Sequence, residues 1–254
     1  MRNISRFKEV CREKGVFAAF IKMISYLAFV LKKNRFEKAW KEGCLKSGRL
    51  LIKGWNTGPK VFWDGIELTK GIGLNTSIFV NGKWQDSSKA AWKLLETGPG
   101  RLRLGNIWKL LPIRQEWIIS SLGDGKVSCE VKLEPQKDIE FIEQKFTIMV
   151  SERFNLWFDA ENKAKAFPQF KDWTDITEVK KDSLFIGVKS DIDKTLPVVV
   201  LKKEDFRPKD HAQIQNSDFR IRSRLLNFVA SSRDASLKYR KGVSVFFKME
   251  LDVK

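Results

Sequence analysis

The sequence predicts an all-β chain with a helical start: a large antiparallel β-sandwich over residues 48–254, preceded by a basic, weakly amphipathic helical segment over 1–47. Three observations predict it. From Gly48 onward the apolar residues come in short runs punctuated by Gly, Pro and Asn. Several of those runs alternate apolar with polar residues, the period of a strand with one face in a core. No helical pattern recurs between them and no repeat of fixed period occurs, which disfavours a parallel α/β sheet and a solenoid.

The first element is the run "VFAAFIKMISYLAFVL", Val16 to Leu31. On a helix, Ala18, Lys22 and Ser25 share a narrow stripe that Phe29 interrupts, while Phe17, Phe20, Ile21, Ile24, Leu27 and Leu31 cover the other side. A helix so apolar calls for lipid or a protein interior. Sixteen residues reach about 24 Å, short of a hydrocarbon core of ~30 Å, and Lys22 sits mid-run. Lys32 and Lys33 follow it directly, with no small-residue cleavage site of the signal-peptide kind. Three placements fit: along an anionic membrane surface, against the following domain, or across the bilayer as a short signal-anchor. Residues 35–47 extend the pattern as a second short helix ending near Gly43.

Beyond Gly48 the elements come in order. "GRLLIKG", "PKVFWDG", "LNTSIFVNGKW" and "AAWKLLETG" read as strands, with Asn-Gly marking a tight turn in the third. "QEWIISSLGDGKVSCEVKLEP" is the clearest hairpin: two runs flank Gly-Asp-Gly, and Val127, Cys129, Val131 and Leu133 alternate with polar residues. "DIEFIEQKFTIMV" follows, with Phe146, Ile148 and Val150 on one face. Residues 153–175 are aromatic-rich, but Pro168 and its polar neighbours suggest a long ordered loop. "SLFIGV", "LPVVVL", "RLLNFVA" and "GVSVFFKMEL" are further strands, the last predicted to turn Val243, Val245, Phe247, Met249 and Leu251 one way. The charged stretch 202–224 between them reads as solvated loop. No linker interrupts 48–254, so a single domain is expected.

Composition narrows the chemistry. His211 is the only histidine, in the polar stretch "RPKDHAQ", so a Ser-His-Asp triad, an HExxH zinc site or a His-rich iron site would all depend on it. Cys11, Cys44 and Cys129 are odd in number and far apart, which suits a reducing cytosol better than a disulfide framework. No cofactor or metal motif occurs. The net charge is +17, of which residues 1–50 carry +9 from thirteen basic and four acidic residues. That concentration beside an apolar run points to an anionic membrane surface, at the cytoplasmic face, rather than to nucleic acid, for which no recognition motif is present.

The segment "WKLLPIRQEWIISSLGDGKVSCEVKLEPQKDIEFIEQKFTIMVSERFNLWF" resembles the β-supersandwich of galactose-mutarotase-like domains: a polar-aromatic strand, a Gly-Asp-Gly hairpin and a long strand leading to "ERFNLWF". Such domains occur in aldose epimerases and in many glycoside hydrolases and polysaccharide lyases. Mutarotases use paired histidines and a glutamate, which this sequence cannot supply, so the resemblance implies saccharide handling without epimerisation.

Nine tryptophans suit that ligand, since sugar C–H faces stack on indoles while hydroxyls need planar polar partners. The predicted saccharide-binding set is Trp84, Trp92, Arg101, Arg103, Trp108, Arg114 and Glu116, with Arg101 and Arg103 on one strand face and Arg114 and Glu116 on another. "GPGRLRLG" is a turn between strands rather than a phosphate loop, because no GKS/T follows. Asp172 with Asp175, and Asp191 with Asp193, are the spaced acid pairs a hydrolase would draw on, and Tyr239 is the tyrosine a lyase would need. Three functions follow in order of support: a non-catalytic glycan-handling protein at the membrane face, serving surface-polysaccharide biosynthesis; a His-independent glycan lyase or hydrolase; and a nucleic-acid binder.

Overall fold

The computed structural model describes residues 43–161, 163–205, 210–231 and 237–254. The chain divides into two units, Met1–Glu42 and Gly43–Lys254, and the second is the one described below. The expected helix over Val16–Leu31, with its membrane-contact residues, and most of the second helix lie outside the described residues.

Among the described residues every regular element is a strand apart from one 3-10 turn, Ser87–Lys89. The strands are β1 (Cys44–Ser47), β2 (Leu50–Lys53), β3 (Lys60–Trp63), β4 (Ile66–Glu67), β5 (Thr69–Val80), β6 (Lys83–Asp86), β7 (Ala91–Gly98), β8 (Arg101–Ile107), β9 (Ile113–Gly123), β10 (Lys126–Pro135), β11 (Ile139–Phe141), β12 (Glu143–Ser151), β13 (Leu156–Asp159), β14 (Lys165–Ala166), β15 (Thr174–Asp175), β16 (Phe185–Lys189), β17 (Val199–Lys203), β18 (Asp210–Asn216), β19 (Ser223–Ser231), β20 (Leu237–Tyr239) and β21 (Ser244–Val253). Every paired strand is antiparallel. Two sheets dominate: a nine-stranded one in the order β14-β13-β16-β17-β21-β10-β9-β8-β7, and a six-stranded one in the order β15-β18-β19-β12-β5-β6. Among the described residues no helix is long and apolar enough to cross a membrane.

The core lies between these two sheets. Phe146, from the six-stranded sheet, meets Trp117 and Phe247, from the nine-stranded sheet, at ring-centroid distances of 5.6 and 6.0 Å. Val127, Cys129, Val131 and Leu133 are buried as their alternation predicts, each large apolar side chain contributing about 1.5–3 kcal/mol on burial. One ion pair is sealed in the same layer: Lys203 Nζ of β17 lies 3.2 Å from an Asp210 carboxylate oxygen of β18, both side chains 2% exposed. Burial pushes the Cys129 thiol well above its usual range, so it is an inert core group.

The turns follow the sequence signals. Asn81 and Gly82 both have positive φ (50° and 72°) in the β5–β6 hairpin, as a two-residue I′ turn requires. Pro99-Gly100 closes β7 onto β8, with Gly100 at φ 77°, so the "GPGRLRLG" stretch is a type II-like turn.

Three expectations change. Residues 44–47 form strand β1 rather than a helix end; Ser47 is buried, and Ser121 Oγ of β9 donates a hydrogen bond to its hydroxyl at 2.8 Å. The stretch around His211 is not loop: Asp210–Asn216 is β18, pairing with β19 in regular register. Its inward positions are Asp210, Ala212, Ile214 and Asn216, so the alternation begins and ends on polar residues that hydropathy does not flag. Finally, β21 does not keep one face. A bulge sets Val131 opposite Phe247 but Lys132 opposite Val245, so Val243 and Val245 turn away from the core while Phe247, Met249 and Leu251 stay in it.

Candidate functional site: a polar groove on the nine-stranded sheet

The outer face of the nine-stranded sheet follows from the register. Gly105 of β8 pairs with Lys93 of β7 and with Glu116 of β9, and Glu116 pairs with Lys132 of β10. One step along, Ile107 pairs with Arg114, and Arg114 with Glu134. These side chains stand on one face and line a groove of about 330 Å³, with Leu95 and Val243 completing its apolar part. Gly105 forms its low point: a Cβ there would come within 3.2 Å of Leu95 Cδ1 and 3.3 Å of Lys93 Cε, so the missing side chain leaves room for both to fold over the strand.

A charge clamp stands beside the groove. Arg103 Nε donates to Glu116 Oε1 at 2.8 Å, and Nη1 donates to Glu96 Oε2 at 2.6 Å. The guanidinium holds the Glu96 carboxyl below the usual carboxylate range, and the two acids raise Arg103 in return. Arg114 and Lys93 have no carboxylate within 4.0 Å among the described residues. The groove therefore offers a fixed carboxylate, a second carboxylate at Glu134 and two uncommitted cations on rigid strands. That donor and acceptor set can hold a polyhydroxylated ligand.

Beneath the groove the sheet is locked to its partner. Gln115 Oε1 accepts from Thr76 Oγ1 of β5 (3.0 Å), from Asn106 Nδ2 of β8 (3.1 Å) and from Trp117 Nε1 (3.3 Å). All four residues are buried, so the strands that position Arg114 and Glu116 are fixed by a polar knot between the sheets.

The sequence-predicted residues divide. Arg114 and Glu116 line the groove, and Arg103 flanks it through Glu116. Arg114 and Glu116 share a face without pairing, because Arg103 takes the carboxylate. Arg101 is on the same face, opposite Ser120 near the β7–β8 turn, at the start of β8 and outside the groove lining. Trp92 and Trp108 are not stacking platforms: at 4% and 6% exposed they belong to the core, Trp92 donating from Nε1 to the Ser87 carbonyl at 2.7 Å. Trp84, 40% exposed, lies on β6 in the other sheet, with Phe79 beside it and Lys145 Nζ 4.2 Å from its ring centroid. Lys93, Gly105, Lys132, Glu134 and Val243 were missed. For the four on strands the signal is parity with Glu116, which becomes readable only when the register is known; Val243 precedes β21 and carries no such signal.

The other candidates have structural partners. Asp175 accepts from Gln213 Nε2 (3.1 Å) and Gln215 Nε2 (2.5 Å), and Asp191 accepts from Asn155 Nδ2 (2.5 Å). Hydrogen bonds from Thr195 and then Arg153 hold the Asp193 carboxyl below its usual range. Tyr239 donates its hydroxyl to Gln144 Oε1 at 2.8 Å and packs near Phe141 and Phe246, and it does not line the groove. His211 is on β18 of the six-stranded sheet. No cluster of three or more His, Cys, Asp or Glu suited to a metal occurs among the described residues.

No sequence-family model and no curated protein sequence matches the chain. Solved structures do. A protein assigned as an aldose 1-epimerase from Escherichia coli K12 superposes with a TM-score of 0.57 at 9% identity, covering 83% of this chain and 98% of that one. The alpha-galactosidase of Lactobacillus brevis superposes with a TM-score of 0.50 at 6% identity, covering 83% of this chain and 39% of that one. At these identities the likeness is one of fold, and the fold is galactose-mutarotase-like.

Proposed function

We propose that this galactose-mutarotase-like sandwich holds a saccharide in the groove of β7–β10 without epimerising it. The observation that carries the reading is the groove itself: Glu116, Glu134, Arg114 and Lys93 stand around the gap left by Gly105, on strands fixed from below. No histidine lines it, so the paired-histidine chemistry of mutarotases has no agents there. Neutral sugar hydroxyls would bridge carboxylate and guanidinium, while Leu95, Ile107 and Val243 meet C–H faces. Titration calorimetry against a glycan panel tests this. A saccharide that binds the wild type should lose about tenfold in affinity, ~1.4 kcal/mol, with Arg114→Ala or Glu134→Gln. Affinity unchanged in both variants, or no saccharide bound at all, overturns the reading.

A second reading, a His-independent glycan hydrolase, draws on one observation. Glu116 and Glu134 are diagonal neighbours on β9 and β10, and both line the groove. Diagonal strand neighbours are about 7–8 Å apart, within the range of inverting carboxylate pairs. The Arg103 clamp works against it by committing the Glu116 carboxylate to a salt bridge, where it is less free to activate a water. Release of sugar from chromogenic glycosides, lost in Glu134→Gln, would establish this reading in place of the first.

The address is part of the same proposal. The support is in the sequence: an apolar run from Val16 to Leu31 with Arg12, Lys14, Lys32 and Lys33 on its flanks. This arm brings the sandwich to the anionic cytoplasmic membrane face, where it would serve surface-polysaccharide assembly. Flotation with phosphatidylserine-containing vesicles should be lost on removing residues 1–42, and persistence of flotation would refute it.

A further inference from the structure

The outer face of the nine-stranded sheet has a second concavity, at the opposite end from the groove. Phe158 of β13 pairs with Gly187 of β16, Gly187 with Val200 of β17, and Val200 with Asp252 of β21. Their side chains share one face, and with Phe185 and Val198 they line a cleft of about 550 Å³. The floor is apolar and shaped. A Cβ on Gly187 would collide with the far end of the Phe158 ring, so the absence of a side chain there is what lets the ring lie over the strand.

The rim is basic: Lys163, Lys189, Lys202 and Lys254. The two acids at the cleft are already engaged. Asp159 accepts backbone N–H bonds from Lys180 (2.8 Å) and Glu161 (3.0 Å). Asp252, whose side chain is 4% exposed, has Lys254, Lys126 and Lys202 at 3.5, 3.8 and 4.0 Å. Lys202 is also bound to Glu250 at 2.7 Å. Lys163 and Lys189 have no carboxylate within 4.0 Å among the described residues. Two uncompensated cations therefore stand over an apolar floor, and low-dielectric walls focus their field into the cleft.

From this juxtaposition we infer that the cleft is a binding site for a small amphiphilic anion: an apolar body on Phe158, Phe185 and Val200, with a phosphate or carboxylate reaching Lys189 and Lys163. The site is separate from the saccharide groove, and neither needs the other. Four probes decide it, each titrated by calorimetry below its micelle concentration: octyl phosphate, octanoate, octyl glucoside and inorganic phosphate. Octyl phosphate or octanoate should bind at least tenfold more tightly than octyl glucoside and than inorganic phosphate, and the better of the two names the head group. Binding should weaken about tenfold in Lys189→Ala and with rising salt. Gly187→Ala, which displaces the Phe158 ring, should remove it, whereas Arg114→Ala in the other groove should leave it unchanged. Equal affinity for octyl glucoside, indifference to Lys189→Ala, or no binding by either anion overturns the inference. Any loss caused by Arg114→Ala would assign the binding to the saccharide groove instead and refute it too.

Discussion

The two ends of the nine-stranded sheet's outer face use their cations differently. At the β7–β9 end, Arg103 is spent on two carboxylates, and the free cation Arg114 stands opposite Glu134 in the register without an ion pair between them. Both signs are present, and the surface suits a neutral ligand rich in hydroxyls. At the β13–β17 end, the acids are satisfied from within and two lysines are left over an apolar floor. One sheet face, built on one strand rule, thus offers two chemistries. What separates them is that Glu134 at the first end has no cation within 4.0 Å among the described residues, whereas Asp159 and Asp252 at the second are both engaged.

The largest effect that could break this contrast comes from below it. Lys203→Met removes one partner of the sealed ion pair and leaves Asp210 buried. It should cost about 3 kcal/mol of stability by urea unfolding, because the buried Asp210 carboxylate loses the Lys203 ammonium. Both ends should then lose ligand together as the scaffold opens. A loss confined to one end would show that the two do not share the core.

Gly105→Val sharpens the contrast more selectively. Its branched side chain fills the low point of the groove against Leu95 and Lys93, both flexible enough to move. Saccharide affinity should fall at least tenfold, ~1.4 kcal/mol, with octyl phosphate or octanoate binding unchanged. Equal loss at both ends would mean that the substitution damages the sheet rather than the site.

The smallest effect is a pH dependence. Arg103 depresses the folded pKa of Glu96 below its ordinary value of 4.5. The contribution of the clamp is therefore complete above that value and fades as pH falls through the depressed one. Saccharide affinity should drop in that acidic window, and Glu96→Gln should flatten the profile. An unaltered profile would detach the clamp from the groove. Arg103→Gln should leave the urea midpoint unmoved, since exposed ion pairs contribute little to stability.

The comparison also shows where reading the sequence stopped. The hairpin over residues 113–135 is legible from Gly-Asp-Gly and alternation, but its pairing is not. A regular count back from Gly123 opposite Lys126 sets Glu116 opposite Leu133. The bulge at Leu122 sets it opposite Lys132 instead, and the groove takes shape from that offset. Trp92 and Trp108 sit in the same segment as Arg103 and Arg114, and composition ranked them together. Strand parity sends the indoles into the core and the guanidiniums out. The β13–β17 cleft gave no sequence signal, because its residues come from segments 158–164, 185–189, 198–202 and 252–254.

By itself the sequence determined most of the strands, the tight turns, the alternation that buries Val127 to Leu133, and the presence of a single histidine. These are local properties: turn dihedrals, period-two hydropathy and a residue count. Only the tertiary structure decided which side chains share a face across strands, where Val243 points, and which acids are left to meet a ligand. Those depend on register, and a single bulged residue exchanges one sheet face for the other.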